Sequence, residues 1–100
     1  MLKDPNVFLL DVRTPGENAS ARIAGDTLVP LQVLEQQLGA LPKDKKRPVL
    51  VYCRSGNRSA AAARILAKNG HQTIFNLKDG VMGWQKAGYP VVAGPRAQGQ

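Results

Sequence analysis

The sequence predicts an α/β fold, a three-layer sandwich in which helices flank a mostly parallel central sheet. Short apolar runs rich in β-forming residues alternate along the chain with segments of helical periodicity, a pattern typical of βαβ units. Two of these runs, Val7–Val12 and Val49–Tyr52, are apolar almost throughout. Such runs are typical of strands that are covered on both faces, as in a parallel sheet with a helical layer on each side.

Four strands are predicted in chain order. The first, Val7–Val12, ends at a turn that contains proline and glycine, and the short second strand, Thr27–Val29, stops before Pro30. The third is Val49–Tyr52 and the fourth is Thr73–Phe75. Because the carboxyl ends of parallel strands meet at one edge of a sheet, we expect functional side chains to gather there.

The helices are predicted from spacing and composition. One or two helical turns are expected over Glu17–Arg22, and leucines at helical spacing predict a helix from about Leu31 to Leu38. The alanine-rich segment Ser59–Asn69 has high helix propensity and is followed by a glycine that ends it. A last helix presents one apolar face, formed by Val81, Trp84 and Ala87. Trp84 is therefore expected to be a core residue.

Length and composition predict one small domain. Of 100 residues, 43% are hydrophobic, which is ordinary for a globular protein. We expect an ordered domain over residues 1–92, closed by an extended segment at Val91–Val92, and a flexible tail over residues 93–100. No apolar run is long enough to span a membrane, and the N-terminus lacks the apolar core of a signal peptide. A cytoplasmic monomer is therefore expected, or a periplasmic one if a leader was removed.

The charge and the rare residues narrow the classes of ligand. A formal net charge of +7 predicts an anionic partner. Nucleic acid fits poorly, because the basic residues are scattered, their densest group at Lys43–Arg47 is a solvated loop, and few aromatics could stack on bases. One histidine and one cysteine cannot form a metal cluster of recognisable spacing, so no metal and no cofactor are expected. His71 is expected at the surface.

The single cysteine is the strongest candidate for chemistry. Cys53 ends a predicted strand and precedes a small, basic loop and the alanine-rich helix. Backbone N–H groups of a tight loop and of a helix start can converge on a sulfur there, and the helix dipole with Arg54 and Arg58 adds positive charge. These features lower a cysteine pKa and hold an anionic substrate. The alternative is a structural cysteine that only fills the core, but the two arginines and the glycine favour a reactive thiolate.

The chain resembles the rhodanese family of sulfurtransferases over about Val7–Val92. Four stretches carry the resemblance, in order and at similar spacing: Leu9–Pro15, Ile23–Leu31, Val51–Ser59 and Leu77–Val91. The chain departs from the family pattern where Arg22 and Ala24 replace a histidine and a proline, where Asn18 replaces an aromatic residue, and where Asp79 replaces the first of two glycines. The resemblance also implies that the family's first strand is missing or shortened, because little sequence precedes Val7.

The resemblance implies a thiosulfate sulfurtransferase. Sulfane sulfur would move from a donor such as thiosulfate to cyanide, a thiol or a protein acceptor, through a persulfide on Cys53. The residues implied to bind the substrate follow that cysteine: Arg54, Ser55, Gly56, Asn57, Arg58 and Ser59.

Several of these positions have two interpretations. Arg58 could bind the substrate or form a structural ion pair, with Asp11 as a candidate partner. Ser59 could donate a hydrogen bond to the sulfur, as could Ser55, or could be the N-cap of the helix, which is favoured. Gly56 supplies a backbone angle that other residues resist. Asp11 is expected to organise the loop, since a persulfide-forming thiolate needs no base, and Arg13 is expected to pair with a carboxylate.

Two other functions stay open. The chain could be a persulfide carrier or an interaction module for a protein partner, which this sequence does not separate from an enzyme. A phosphatase or arsenate reductase of the same fold also uses a cysteine in an anion-binding loop. Only four residues separate Cys53 from Arg58, however, and the phosphatase branch has one more. The shorter loop favours a single sulfur atom over a phosphoryl group.

Overall fold

The computed structural model describes residues 6–94 and contains one four-stranded, fully parallel sheet. The strands lie side by side in the order β2-β1-β3-β4. Each is short and close to its predicted position: β1 Phe8–Asp11, β2 Thr27–Leu28, β3 Val49–Tyr52 and β4 Ile74–Asn76. The central strand β3 is buried along its whole length, as its unbroken apolar sequence predicts.

Within residues 6–94 there are three α-helices and one 3-10 helix; the last α-helix follows the last strand and the other three helices connect consecutive strands. Their bounds are α1 Pro15–Ser20, the 3-10 helix Leu31–Ala40, α2 Asn57–Lys68 and α3 Gly80–Lys86. The helix predicted at Leu31–Leu38 is present, but it winds as a 3-10 helix and leaves helical geometry at Gln37. Its leucines recur at intervals of three as well as four, and an interval of three also places side chains on one face of a 3-10 helix.

Helices cover both faces of the sheet, so the predicted three-layer architecture is confirmed. One core lies between the sheet and the layer formed by α2 and the 3-10 helix, and it is centred on fully buried Leu10, Leu34 and Leu66. The other lies on the opposite face and joins Leu50 and Tyr52 to Val81 of α3, with Trp84 packed against it. Removing a leucine side chain from water stabilises a fold by about 1.5–3 kcal/mol, which indicates how strongly such cores fix the layers.

His71 is buried, not exposed as predicted, with 4% of its surface accessible. A glycine turn ends α2: the Gly70 N–H binds the Ala67 carbonyl and the His71 N–H binds the Leu66 carbonyl. These two bonds form a Schellman motif, for which Gly70 adopts a φ of 92°. The motif reverses the chain at the end of α2. A single histidine after a polar turn gives no sign in the sequence that its side chain is buried.

Arg22 ties the C-terminal segment to the domain. Its backbone forms an antiparallel bridge with Val92, and its Nη1 donates to the Gly94 carbonyl at 2.7 Å. A flexible tail is predicted over residues 93–100, and residues 95–100 of it lie outside the described residues. The prediction of a missing or shortened first strand concerns residues 1–5, which also lie outside them. Within residues 6–94, no helix is both long enough and apolar enough to cross a membrane.

Candidate active site

Polar side chains gather where three neighbouring strands end. Asp11 is the last residue of β1, Asn76 is the last residue of β4, and Cys53 directly follows β3 between them. The loop from Cys53 leads into α2, whose first turn faces the sulfur. The carboxyl edge of the sheet therefore carries the candidate site, as parallel topology predicts.

The Cys53 sulfur lies in a cradle of hydrogen-bond donors. The Gly56 N–H donates to Sγ at 3.0 Å, and the Ser59 Oγ lies 3.5 Å from Sγ. Cys53 is 1% exposed. Gly56 can direct its N–H inward because it adopts a φ of 113°, and a Cβ at this position would overlap the Lys78 carbonyl oxygen. Only glycine fits there without strain.

The cradle favours the thiolate. Burial raises the pKa of the Cys53 thiol, but hydrogen bonds from the Ser59 hydroxyl and from the N–H groups of Ser59, Gly56 and Ser55 outweigh that effect. The pKa of Cys53 is therefore below its ordinary value. Each of these donors stabilises the charged sulfur more than the neutral thiol.

Arg58 is held by Glu17 and not by Asp11, so the suggested Asp11 partner is wrong. The guanidinium donates to both Glu17 carboxylate oxygens, at 2.6 and 2.7 Å. The hydrogen bonds from Arg58, with those from Thr14, lower the pKa of Glu17 to about 2 against the opposing effect of burial. Glu17 is fixed by a capping box with Thr14 at the start of α1, so this ion pair joins α1 to the beginning of α2.

Asp11 instead binds Arg13. Its carboxylate accepts from the Arg13 backbone N–H at 2.9 Å and from the Arg13 side chain. Asn18 Nδ2 donates to Asp11 and also to Asp26, which accepts from the Tyr52 hydroxyl at 2.6 Å. Asn18, which stands where the family usually has an aromatic residue, thus links two buried carboxylates. This network fixes the turn before α1, and with it the position of Glu17.

The exposed part of the loop is held through its backbone. The Cys53 and Arg54 carbonyls accept from the first N–H groups of α3, Val81 and Met82, at 2.9 and 3.1 Å. A Cβ at Gly80 would overlap the Arg54 carbonyl, so this contact requires a glycine at position 80. Gly80 is the second glycine of the family's usual pair, and Asp79 stands in place of the first. Arg54 itself is exposed, like Ser55 and Asn57, and within residues 6–94 no hydrogen bond or ion pair holds its side chain.

Ser59 is not the N-cap of α2. The helix begins at Asn57 after Gly56, and Ser59 is its third residue, fully buried. Its hydroxyl oxygen lies 2.5 Å from Asn76 Oδ1. Sequence reasoning missed both Asn76 and Glu17. The signals available were the position of Asn76 at the end of a parallel strand and the Thr14-x-x-Glu17 capping pattern.

Within residues 6–94, no group of three or more His, Cys, Asp or Glu side chains is placed to hold a metal ion. The chemistry that the arrangement supports is that of a thiolate. It offers a nucleophilic sulfur, N–H donors that stabilise negative charge on it, and an exposed guanidinium at the rim.

Comparison with known proteins assigns the family. The family model for the rhodanese-like domain matches residues 1–87. A sulfurtransferase of Allochromatium vinosum is 38% identical over 88 residues, which cover 88% of this chain and 80% of that protein. The crystal structure of a rhodanese-related protein from Thermoplasma volcanium superposes with a TM-score of 0.79 at 36% identity, covering 87% of this chain and 84% of that one.

A thiosulfate sulfurtransferase from Pseudomonas aeruginosa has the same fold, with a TM-score of 0.81 at 28% identity. The match covers 88% of this chain but 17% of that larger one. The thiolate cradle therefore lies in a fold shared with sulfurtransferases, and the chain belongs to the rhodanese-like family.

Proposed function

We propose that this protein is a thiosulfate sulfurtransferase that carries sulfane sulfur as a persulfide on Cys53. The observation that carries the proposal is the cradle around the sulfur, where the Gly56 N–H lies 3.0 Å from Sγ and the pKa of the thiol is lowered. A buried cysteine with a structural role alone needs no such set of donors. The sulfurtransferase from Allochromatium vinosum and the thiosulfate sulfurtransferase from Pseudomonas aeruginosa support the reaction class.

In the first step, the Cys53 thiolate attacks the outer sulfur of thiosulfate. A bond forms between Sγ and the outer sulfur while the bond from that sulfur to the sulfonate breaks, and sulfite leaves with the bonding pair. The outer sulfur keeps its negative charge, so the product is a persulfide anion on Cys53. The loop N–H groups are placed to stabilise charge on the sulfurs without reorganisation.

In the second step, a thiophilic acceptor removes the outer sulfur. Cyanide attacks it, thiocyanate leaves, and the electron pair of the broken S–S bond returns to Sγ as a thiolate. The same donors that lower the thiol pKa make this thiolate a good leaving group. A small-molecule thiol or a cysteine of a protein acceptor would react in the same way.

The charges at the rim support an anionic donor. Arg58 is already neutralised by two hydrogen bonds to Glu17, whereas the exposed Arg54 has no such partner within residues 6–94. Arg54 is therefore the guanidinium available to the sulfonate end of thiosulfate. Ser55 and Asn57, also exposed, complete the entrance to the loop.

The test is the intact mass of the protein after incubation with thiosulfate. We expect the mass to increase by one sulfur atom and to return to its original value after cyanide is added. A Cys53→Ser variant should show neither change, because the chain has no other cysteine. Addition of sulfur to that variant, or no addition to the unmodified protein, would overturn the proposal. A persulfide that forms but passes only to a protein thiol would identify a carrier instead of an enzyme for small acceptors.

A further inference from the structure

The Ser59 hydroxyl has more partners than it has protons. Its oxygen lies 2.5 Å from Asn76 Oδ1, 3.1 Å from the Gly56 carbonyl oxygen and 3.5 Å from Cys53 Sγ. A serine hydroxyl donates one hydrogen bond only. The Asn76 oxygen, the Gly56 carbonyl and a thiolate at Cys53 therefore compete for the same proton.

The state of the sulfur decides this competition. A neutral thiol donates its own proton toward the Ser59 oxygen, and the Ser59 proton then goes to Asn76, its shortest contact. A thiolate is a charged acceptor, and hydrogen bonds to charged groups are about twice as strong as neutral ones. On ionisation, the hydroxyl turns toward Sγ and Asn76 loses its donor.

Asn76 is held so that its oxygen, and not its nitrogen, faces Ser59. Asn76 Nδ2 donates to the Gly56 carbonyl at 3.4 Å, and Gly56 is the residue whose N–H binds the sulfur. The backbone at this point is fixed within the sheet, because Asn76 pairs with Val51 of β3 and the next N–H, of Leu77, donates to the Val51 carbonyl.

We propose that Asn76 is a positioning residue for the sulfur-transfer site: its Oδ1 accepts a hydrogen bond from the Ser59 hydroxyl whenever the Cys53 sulfur is uncharged and loses that bond when the thiolate forms. The part that concerns the persulfide rests on the proposed function. In the persulfide the inner sulfur is neutral, so the Ser59 hydroxyl returns to Asn76. Asn76 thereby stabilises the loaded state relative to the thiolate.

The charged groups around Cys53 come from every neighbouring element. By position, they are Arg54 on the loop, Arg58 on α2 with Glu17 on α1, Asp11 with Arg13 at the end of β1, and Lys78 and Asp79 between β4 and α3. A neutral substitution at Asn76 alters none of them. A change in the ionisation of Cys53 in such a variant therefore comes through a hydrogen bond of Asn76, with the Ser59 hydroxyl or with the Gly56 carbonyl, and a Ser59→Ala background separates the two.

The first measurement is the rate of Cys53 alkylation by iodoacetamide against pH. Asn76→Leu keeps the shape of the side chain but removes its oxygen, which leaves the Gly56 carbonyl as the only competitor for the proton. We expect the titration midpoint to fall and the alkylation rate below the midpoint to rise about two- to tenfold, the equivalent of one hydrogen bond. Asn76→Asp, which adds a negative charge beside Ser59, should move the midpoint upward.

The controls separate this role from a loss of packing. Asn69→Leu makes the same replacement at the far end of α2, where the amide binds the Ile65 carbonyl, and should leave the midpoint unchanged. In a Ser59→Ala background, Asn76→Leu should have no further effect on the midpoint. An unchanged or raised midpoint in Asn76→Leu, or an equal fall with and without Ser59, would overturn the proposal.

The second measurement is the fraction of persulfide at a fixed ratio of thiosulfate to sulfite, read from the intact mass. Asn76→Leu should reduce the ratio of persulfide to thiolate by a factor similar to that in the alkylation experiment. If the unmodified protein forms no persulfide, the proposed function fails, but the alkylation profiles still decide whether Asn76 controls the Ser59 proton. If the persulfide forms and its fraction is the same in both proteins, the role of Asn76 fails and the proposed function stands.

Discussion

At the scale of single residues, the acidity of Cys53 comes mainly from hydrogen bonds. The donors that lower its pKa are the Ser59 hydroxyl and three backbone N–H groups, while burial acts in the opposite direction. The pKa of Arg58 is raised mainly by its hydrogen bonds to Glu17, and the nearby Cys53 sulfur has a smaller effect in the same direction. The loop therefore divides into two parts: backbone and serine donors stabilise the thiolate, and in the proposed function the exposed Arg54 binds the substrate.

This division predicts a selective effect of Arg54→Ala. We expect the KM for thiosulfate to rise about two- to fivefold, because an exposed guanidinium contributes a modest amount to binding an anion. The pH midpoint of Cys53 alkylation should stay the same, since Arg54 is not among the groups that set it. Steady-state kinetics at low ionic strength measure the first quantity, and added salt should reduce the difference.

Arg64→Ala is the matched control for this experiment. Arg64 is also exposed, but it lies in the middle of α2, away from the loop, and its removal should leave the KM unchanged. Equal values of KM in the two variants would show that net charge, and not the position of Arg54, attracts the donor.

At the scale of elements, the spacing between Cys53 and Arg58 is fixed by contacts on both sides of the loop. Gly56 fits against the Lys78 carbonyl, and the Cys53 and Arg54 carbonyls bind the start of α3. The four-residue spacing thus brings the Gly56 N–H onto the sulfur. A longer loop would have to give up either this hydrogen bond or the packing against α3.

We therefore expect a glycine inserted between Ser55 and Gly56 to slow persulfide formation by at least about tenfold, the effect of losing a hydrogen bond to a charged group. The unmodified protein should hydrolyse p-nitrophenyl phosphate negligibly beside its turnover of thiosulfate. A glycine inserted between Lys43 and Asp44, in a loop remote from the site, serves as the control for insertion itself. Hydrolysis of the ester through Cys53 faster than persulfide formation would make the protein a phosphatase.

The bounds of β3 were predictable because a strand buried on both faces leaves an unbroken apolar run, Val49–Tyr52. The strand-end position of Cys53 followed from the same run. The partner of Arg58 was not predictable from the sequence, because Glu17 is 41 positions away. Asp11 was the other candidate, and it is not available because its carboxylate forms an ion pair with Arg13. The 3-10 winding of Leu31–Ala40 also escaped prediction, because leucine spacing gives the buried face of a helix but not its pitch.

At the scale of the whole molecule, the two edges of the sheet serve different purposes. The carboxyl edge carries the thiolate and its donors. At the opposite edge, His71 lies just before β4, and its Nε2 is 3.3 Å from Lys45 Nζ. Its Nδ1 is buried and has no hydrogen-bond partner among residues 6–94. Cys53 and His71, the one histidine of the chain, thus lie at opposite ends of the strands. The effect of His71 on the pH dependence of stability can therefore be measured separately from the titration of Cys53.

This arrangement predicts that the protein loses stability in mild acid. Burial and the neighbouring Lys45 charge lower the pKa of His71, so the folded state resists protonation there. The unfolded chain takes up a proton near the ordinary value of about 6.5. The free energy of unfolding should therefore fall as the pH drops below that value, by at most about 1.4 kcal/mol per pH unit, and the slope should vanish below the folded pKa. Urea denaturation between pH 7.0 and about 5.5 measures the slope above the range in which carboxylates titrate.

His71→Leu isolates the contribution of this histidine. The variant keeps an apolar side chain in the buried position and should have a nearly flat profile over the same interval of pH. Lys45→Met should reduce the slope without abolishing it, since it removes the charge that opposes protonation but leaves His71 buried. A wild-type profile that is itself flat, or a His71→Leu profile as steep as that of the wild type, would show that His71 does not set the stability of the fold in mild acid.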